Sequence, residues 1–315
     1  MSLPSLLRDR LRIPVIASPL FIISNPELVI AQCTAGVVGS FPALNARPEE
    51  ELGVWIRRIQ DALADWDARH PERRAAPFAV NQIVHRSNDR LEHDVQVCVD
   101  HKVPLVITSL GARPELNQAI QSYGGIVLHD VIDNRFAHKA IEKGADGLIA
   151  VAAGAGGHAG TVSPFALIAE IRTWFDGPLA LSGSIATGGA VLAAQAMGAD
   201  LAYIGSAFIA TEEAAASTAY KQAIVEGSAG SIVYTNAITG VHGNYLRSSL
   251  AAAGLDPDNL PVSDPTKMNF DRAKPRAWKD IWGSGQGIGA VGAVVPAASL
   301  VARLAEEYAA ARARL

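Results

Sequence analysis

Short apolar runs alternate with longer amphipathic segments along the first two thirds of this sequence. The runs are rich in valine, isoleucine and leucine, which is typical of strands buried on both faces of a parallel sheet. They predict strands over residues 14–18, 36–40, 78–82, 105–109, 125–129, 147–151, 179–182 and 201–205. The segments between them predict helices over residues 49–68, 89–100, 113–122, 135–143, 164–174 and 188–197. This alternation indicates an α/β protein in which helices cover a parallel sheet.

The number and similarity of the units indicate the architecture. The phrases Lys143-Gly144-Ala145-Asp146 and Met197-Gly198-Ala199-Asp200 each predict a helix that ends at glycine and is followed by a strand. Eight such units in about 210 residues predict a (β/α)8 TIM barrel, with active-site groups at the carboxyl ends of the strands. A doubly wound open sheet is the alternative, but it does not need eight units, and no Gly-x-Gly-x-x-Gly follows the first strand.

The pattern changes after residue 212. A helical stretch is followed by a polar region with proline and glycine over residues 228–289, and then by a final helix near residues 294–311. We therefore predict a barrel over residues 1–212, a cap segment over 213–290 that packs over the barrel mouth, and a C-terminal helix over 291–315 that packs back on the barrel.

Composition narrows the classes of partner. The chain has 315 residues and a formal net charge of -4, so it offers no broad basic field for nucleic acid or anionic lipid. Its two cysteines, Cys33 and Cys98, lie too far apart to indicate a disulfide framework or a cysteine metal site, which favours the cytoplasm. The apolar run over residues 13–23 contains Pro14 and Pro19 and is too short to span a membrane. A small-molecule partner is expected.

One histidine stands in a loop almost without side chains after the sixth strand, in Gly154-Ala155-Gly156-Gly157-His158-Ala159-Gly160. Glycines let the backbone approach a ligand closely, and imidazole suits proton transfer near neutral pH. The alternative is a histidine that only shapes the turn. His129 and Asp130 end the fifth strand and are also expected to point toward the mouth, for catalysis or for a structural pairing.

Two further loops contain small residues: Ser182-Gly183-Ser184 follows the seventh strand, and Gly205-Ser206 follows the eighth. In barrels, these two loops commonly hold a phosphate through backbone N–H groups. Either loop alone is equally typical of an ordinary tight turn. Their occurrence together at these two strands indicates a phosphorylated cofactor.

With Trp282-Gly283-Ser284-Gly285-Gln286-Gly287 in the tail, these segments resemble the nitronate monooxygenase family, formerly called 2-nitropropane dioxygenases. The resemblance covers nearly the whole chain and implies an FMN-dependent barrel enzyme, with His158 as general base or substrate-orienting group. The residues it implies for FMN binding are Ala17, Ser18, Pro19, Asn81, His129, Gly156, Gly157, Ser182, Gly183, Ser184, Gly205, Ser206, Gly285 and Gln286.

The chain also departs from the family pattern. Family members often have glutamate where Gly154 stands, glutamine or aspartate near Val151, and a second glycine where Ser184 stands. They often have threonine where Ser206 stands, and serine keeps that hydroxyl. Polar groups at positions 151 and 154 would help to fix the flavin or the histidine, so their loss affects the expected substrate more than the expected cofactor.

The resemblance implies an oxidoreductase, a flavoprotein monooxygenase that oxidises small alkyl nitronates or nitroalkanes with O₂ to a carbonyl compound and nitrite, without a metal. One alternative is an FMN-dependent NAD(P)H oxidoreductase that reduces a quinone or an enoyl thioester, since fold analogy does not separate the two. Another is a non-catalytic barrel that binds FMN or a metabolite. A homodimer is the default assembly, because symmetric dimers are the commonest oligomers.

Overall fold

A computed structural model of the protein describes residues 3–238, 240–262 and 280–315. Within these residues, eight parallel strands form one sheet and three short strands form another. In chain order they are β1 (Val15–Ala17), β2 (Gly39–Pro42), β3 (Phe78–Ile83), β4 (Leu105–Ser109), β5 (Ile126–Val131), β6 (Gly147–Val151), β7 (Gly157–His158), β8 (Leu179–Ser182), β9 (Leu201–Ile204), β10 (Ile232–Thr235) and β11 (Gly243–Leu246).

The eight parallel strands close into a barrel. They pair in the order β1-β9-β8-β6-β5-β4-β3-β2. The two edge strands then meet, because the N–H of Ala17 donates to the carbonyl of Val38 at 2.8 Å, and the N–H of Val38 donates to that of Val15 at 3.1 Å. The predicted (β/α)8 barrel is confirmed.

Helices cover the outside of this barrel. They are α1 (Ser5–Arg8), α2 (Pro26–Ala35), α3 (Glu51–Arg69), α4 (Leu91–Asp100), α5 (Pro114–Gln121), α6 (Asn134–Glu142), α7 (Pro164–Arg172), α8 (Gly188–Ala196), α9 (Ser206–Ile209), α10 (Thr218–Val225), α11 (Arg247–Ala252) and α12 (Ala297–Arg312). The side chain of Thr187 caps α8 by accepting a hydrogen bond from the N–H of Ala190. None of the described helices is long and apolar enough to cross a membrane.

The structure differs from the sequence prediction around α2. The amphipathic pattern does not predict this helix, because it packs against both α3 and α12 and carries apolar residues around most of its circumference. Gly36 ends α2 in the left-handed conformation, with φ +100°. Strand β2 therefore begins at Gly39 and not at residue 36.

Side chains alternate between the inside and the outside of the barrel. The lumen holds one apolar cluster that includes Ile16, Ile107, Leu128 and Ile149, and Leu7 of α1 packs with it. Residues that alternate with these, such as Val106, pack outward against the helices in separate clusters. The barrel is thus a filled core and not a pore, so a ligand finds room only at the carboxyl end of the strands. We call this end the mouth.

The tail after residue 212 contacts the barrel in two places. Its last helix, α12, packs against α8 and α2. Strands β10 and β11 form an antiparallel sheet with β7, in which Gly243 pairs with His158. The sequence pattern does not predict this sheet, because its strands have only two to four residues. The division of the chain at residues 212 and 290 stays a prediction.

Candidate active site at the barrel mouth

The loop after β8 has an unusual backbone. Gly183 has φ +141°, and a Cβ there would lie 2.8 Å from the carbonyl oxygen of Ala153, so this position requires glycine. Ser184 has φ +57°, which is strained for a residue with a side chain. Gly205 at the end of β9 lies beside Ser18, to which a Cβ would come within 3.4 Å. The loops after the seventh and eighth barrel strands therefore offer main chain, with little side chain, to the mouth.

A segment of the tail closes this region. The N–H of Gly285 donates to Ser206 Oγ at 2.8 Å. The N–H of Gln286 donates to the carbonyl oxygen of Gly154 at 2.9 Å. A Cβ on Gly285 would lie only 2.6 Å from that same oxygen, so the close approach depends on glycine. The tail is thus joined both to the histidine loop and to the loop after β9.

His158 lies at the edge of the second sheet, in β7. The tail fixes its loop, because Asn244 Nδ2 donates to the carbonyl of Ala155 at 2.7 Å and the N–H of Ala159 donates to the carbonyl of His242 at 3.3 Å. Burial lowers the pKa of His158 to about 4. The imidazole is therefore neutral at physiological pH and can accept a proton.

Gly154 and Ser184 face each other across the mouth. A Cβ on Gly154 would overlap Ser184 Oγ and would lie 2.9 Å from Gln286 Oε1, and the residue has φ +84°. The two residues that depart from the family pattern here, Gly154 and Ser184, are therefore in direct contact, and a side chain at one position competes for space with the side chain at the other. The serine hydroxyl fills room that a side chain at position 154 would need.

We expect Gly154→Ala to weaken FMN binding by about tenfold, because the methyl group displaces Ser184, which the family resemblance implies for binding the cofactor. Gly154→Ala/Ser184→Gly removes the overlap with Ser184 but keeps the backbone strain and the close approach to Gln286 Oε1, so it should recover part of that affinity. Fluorescence titration of the four proteins with FMN measures the coupling between the two sites. If the effects of the two substitutions on FMN affinity were additive, residues 154 and 184 would not compete for the same space.

The structure brings most of the predicted residues to the mouth. These are Ser18, Pro19, Asn81, Gly156, Gly157, His158, Ser182, Gly183, Ser184, Gly205, Ser206, Gly285 and Gln286. The side chain of Ala17 instead packs in an outer cluster with Val15 and Ile204, so only its main chain borders the mouth.

His129 does not reach the mouth. Its Nδ1 lies 2.6 Å from Thr108 Oγ1, and both residues alternate with lumen residues of their strands, so both face outward. Burial lowers its pKa to about 4. Its neighbour Asp130 faces inward, because β5 continues to Val131 and keeps the alternation of a strand.

Sequence reasoning named Asn81 and Asp130 but missed Ser109 and the row of polar side chains that the three form in the lumen. Asn81 Nδ2 donates to Ser109 Oγ at 2.8 Å, and Ser109 Oγ donates to Asp130 Oδ2 at 2.6 Å. Burial raises the pKa of Asp130 to about 6, and the hydrogen bond from Ser109 opposes this rise. Polar residues at the ends of three consecutive predicted strands were the available signal.

The site fits a flat, phosphorylated cofactor such as FMN. The loops after β8 and β9 form a cradle at Gly183 and Gly205 that side chains would fill. Ser284, in the closing segment, is 1% exposed, and its hydroxyl has no hydrogen-bond partner among the described residues. A buried hydroxyl without a partner is costly unless a ligand supplies one. Among the described residues, no cluster of three histidine, cysteine or acidic side chains could hold a metal ion.

Known proteins of one family match this chain over nearly its whole length. The family model described as nitronate monooxygenase matches residues 5–307. The nitronate monooxygenase of Paraburkholderia phytofirmans is 27% identical, over 93% of this chain and 92% of that protein. The one from Pseudomonas aeruginosa is 26% identical, over 93% and 95% of the two chains.

Solved structures show the same fold. The nitroalkane oxidase of Streptomyces ansochromogenes superposes with a TM-score of 0.80 at 25% identity, over 99% of this chain and 100% of that one. FabK from Thermotoga maritima superposes with a TM-score of 0.76 at 22% identity, over 98% and 96%. At that identity the second likeness concerns the fold alone.

Proposed function

Because the chain belongs to the nitronate monooxygenase family, we propose that it uses FMN and O₂ to oxidise small alkyl nitronates or nitroalkanes to carbonyl compounds and nitrite. Its class, a flavin-dependent oxidoreductase, follows from the family. The single observation that carries the finer proposal is the position of His158, whose main chain pairs with Gly243 at the barrel mouth, in the loop that brings Gly154 beside Ser184. The proposed overall reaction converts two nitronate ions and one O₂ to two carbonyl compounds and two nitrite ions, which conserves atoms and charge.

Different residues of the mouth would bind different parts of the cofactor. The main chain at Gly183, Ser184, Gly205 and Ser206 would hold the phosphate, because these loops carry few side chains and border one another. Ser18 lies beside Gly205. Asn81 lies farther round the mouth on β3, where the ring system would reach, and Gly285 would close the site. FMN, when bound, supplies an acceptor for the electrons of the substrate and a route for them to O₂.

His158 handles the proton. The Cα–H of a nitroalkane is acidic because the nitro group stabilises the resulting anion, so a neutral imidazole can remove the proton and leave a nitronate. Burial keeps the imidazole neutral, and the main-chain pairing of β7 with β11 holds it in place. A nitronate supplied as such needs no base, and His158 then only orients it.

An anaerobic visible spectrum of the purified protein tests this function. It is recorded before and after propyl nitronate is added, and separately with NADH or NADPH. We expect a flavin spectrum that bleaches with nitronate and not with pyridine nucleotide. Bleaching by NADH or NADPH alone would identify the reductase alternative. A colourless protein that takes up no FMN would exclude both enzyme functions.

A further inference from the structure

Three polar side chains form one row in the lumen directly below the mouth. They are Asn81 on β3, Ser109 on β4 and Asp130 on β5, three neighbouring strands of the barrel. The next inward-facing layer beneath them consists of apolar residues, among them Ile107 and Leu128. Polar groups so placed need a reason, because burial without partners costs free energy.

The hydrogen bonds in this row run in one direction. The amide of Asn81 donates to the hydroxyl of Ser109 at 2.8 Å and to the carbonyl oxygen of Ile107 at 3.1 Å. The hydroxyl then donates to Asp130 Oδ2 at 2.6 Å. The row therefore ends on the carboxyl group of Asp130. Its Oδ2 accepts the hydrogen bond from Ser109, which fixes the position of the group, and Ser109 does not bind its Oδ1.

The surroundings of Asp130 do not neutralise it. Burial raises its pKa, the hydrogen bond from Ser109 opposes that rise, and no basic side chain contributes to the shift. Tyr203 on β9 also faces the lumen. It forms a hydrogen bond with Ser18, and its pKa is raised first by burial and then by Asp130. Near pH 8 the row therefore ends on a carboxylate that forms no ion pair with the described residues.

We propose that Asp130, positioned by Ser109, faces the heterocycle of bound FMN and disfavours its reduced form relative to its oxidised form. The inference rests on the FMN binding proposed above. Reduced FMN carries one more negative charge than oxidised FMN near neutral pH, and a carboxylate beside it in a site of low dielectric opposes that charge. Asp130 thereby keeps the bound flavin a weaker oxidant than it would be beside a neutral residue.

The decisive measurement is the midpoint potential of bound FMN in Asp130→Asn at pH 8, where the wild-type carboxyl group is ionised. Asparagine keeps the shape and removes the charge. We expect reduced FMN to bind about tenfold more tightly relative to oxidised FMN, which raises the midpoint potential of the two-electron couple by about 30 mV. The affinity for oxidised FMN, from fluorescence titration of the apoprotein, should change much less.

Two further variants complete the test. Asp61→Asn removes the same charge from the exposed outer side of α3 and should leave the potential unchanged. Ser109→Ala frees the carboxylate from its fixed position and should give a smaller shift in the same direction as Asp130→Asn, which keeps the test valid if Asp130→Asn folds poorly.

The outcomes separate this inference from the proposed function. A potential that is unchanged or lowered in Asp130→Asn, in a protein that still binds FMN and bleaches with propyl nitronate, would overturn the role of Asp130 and leave the proposed function intact. A wild-type protein that takes up no FMN would overturn both.

Discussion

Replacing His158 by alanine is expected to reduce kcat/KM for a neutral nitroalkane by about 10²–10⁴-fold, the usual contribution of a positioned general base. FMN content should change little, because the contacts proposed for the cofactor do not use the imidazole. The matched control is His138→Ala, on the exposed side of α6, where the ring stacks on Trp174 far from the lumen face. Steady-state kinetics with nitroethane and the ratio of flavin to protein measure both effects.

The pH dependence of the wild-type protein checks the same role. The pKa of His158 is lowered to about 4, so the base is already neutral above about pH 5 and is lost only as pH falls toward 4. A base with the ordinary histidine pKa would instead lose activity below about pH 6.5. Turnover in His158→Ala that equals the wild type would remove the imidazole from the reaction.

Gly188→Ala is expected to lower the free energy of unfolding by more than about 2 kcal/mol. A Cβ on Gly188 would overlap the carbonyl oxygen of Leu304 and the N–H of Tyr308 in α12. The N–H of Gly188 also donates to Glu307 Oε2 at 2.7 Å, so the two helices are held together where the methyl group would enter. Thermal unfolding followed by circular dichroism measures the loss.

The next residue supplies the control. A Cβ on Gly189 would meet only Ala311 Cβ, at 4.0 Å, which is an ordinary contact. Gly189→Ala should therefore leave stability unchanged or raise it by a few tenths of a kcal/mol through helix propensity. Equal effects of the two substitutions would mean that α12 does not pack as closely on α8 as the structure indicates.

The strands of the barrel could be predicted from the sequence because burial on both faces makes most of their residues apolar. The ends of the strands were harder to predict, and the end of the fifth strand decides which of its side chains face the lumen. Ending the fifth strand at residue 129 leaves the direction of Asp130 undefined, whereas its continuation to Val131 turns Asp130 inward and His129 outward. A difference of two residues thus decides which side chain reaches the mouth.

Contacts between distant segments could not be read from periodicity. The pairing of Gly243 with His158 and the hydrogen bond from Gly285 to Ser206 involve short segments whose partners lie far along the chain. The pattern contains no signal for such pairs, and only the family resemblance related the closing segment to the site. Likewise, the row from Asn81 to Asp130 depends on strand register, which hydrophobicity alone does not fix.

The order of the chain has a consequence for how the protein is made. An N-terminal segment leaves the ribosome first and can fold before the rest is synthesised. All eight barrel strands end by Ile204, whereas the strand that aligns His158 begins at Gly243, and Gly285 follows later still. A nascent chain can therefore complete its barrel before it has a closed pocket, and capture of the flavin becomes one of the last events in its biosynthesis.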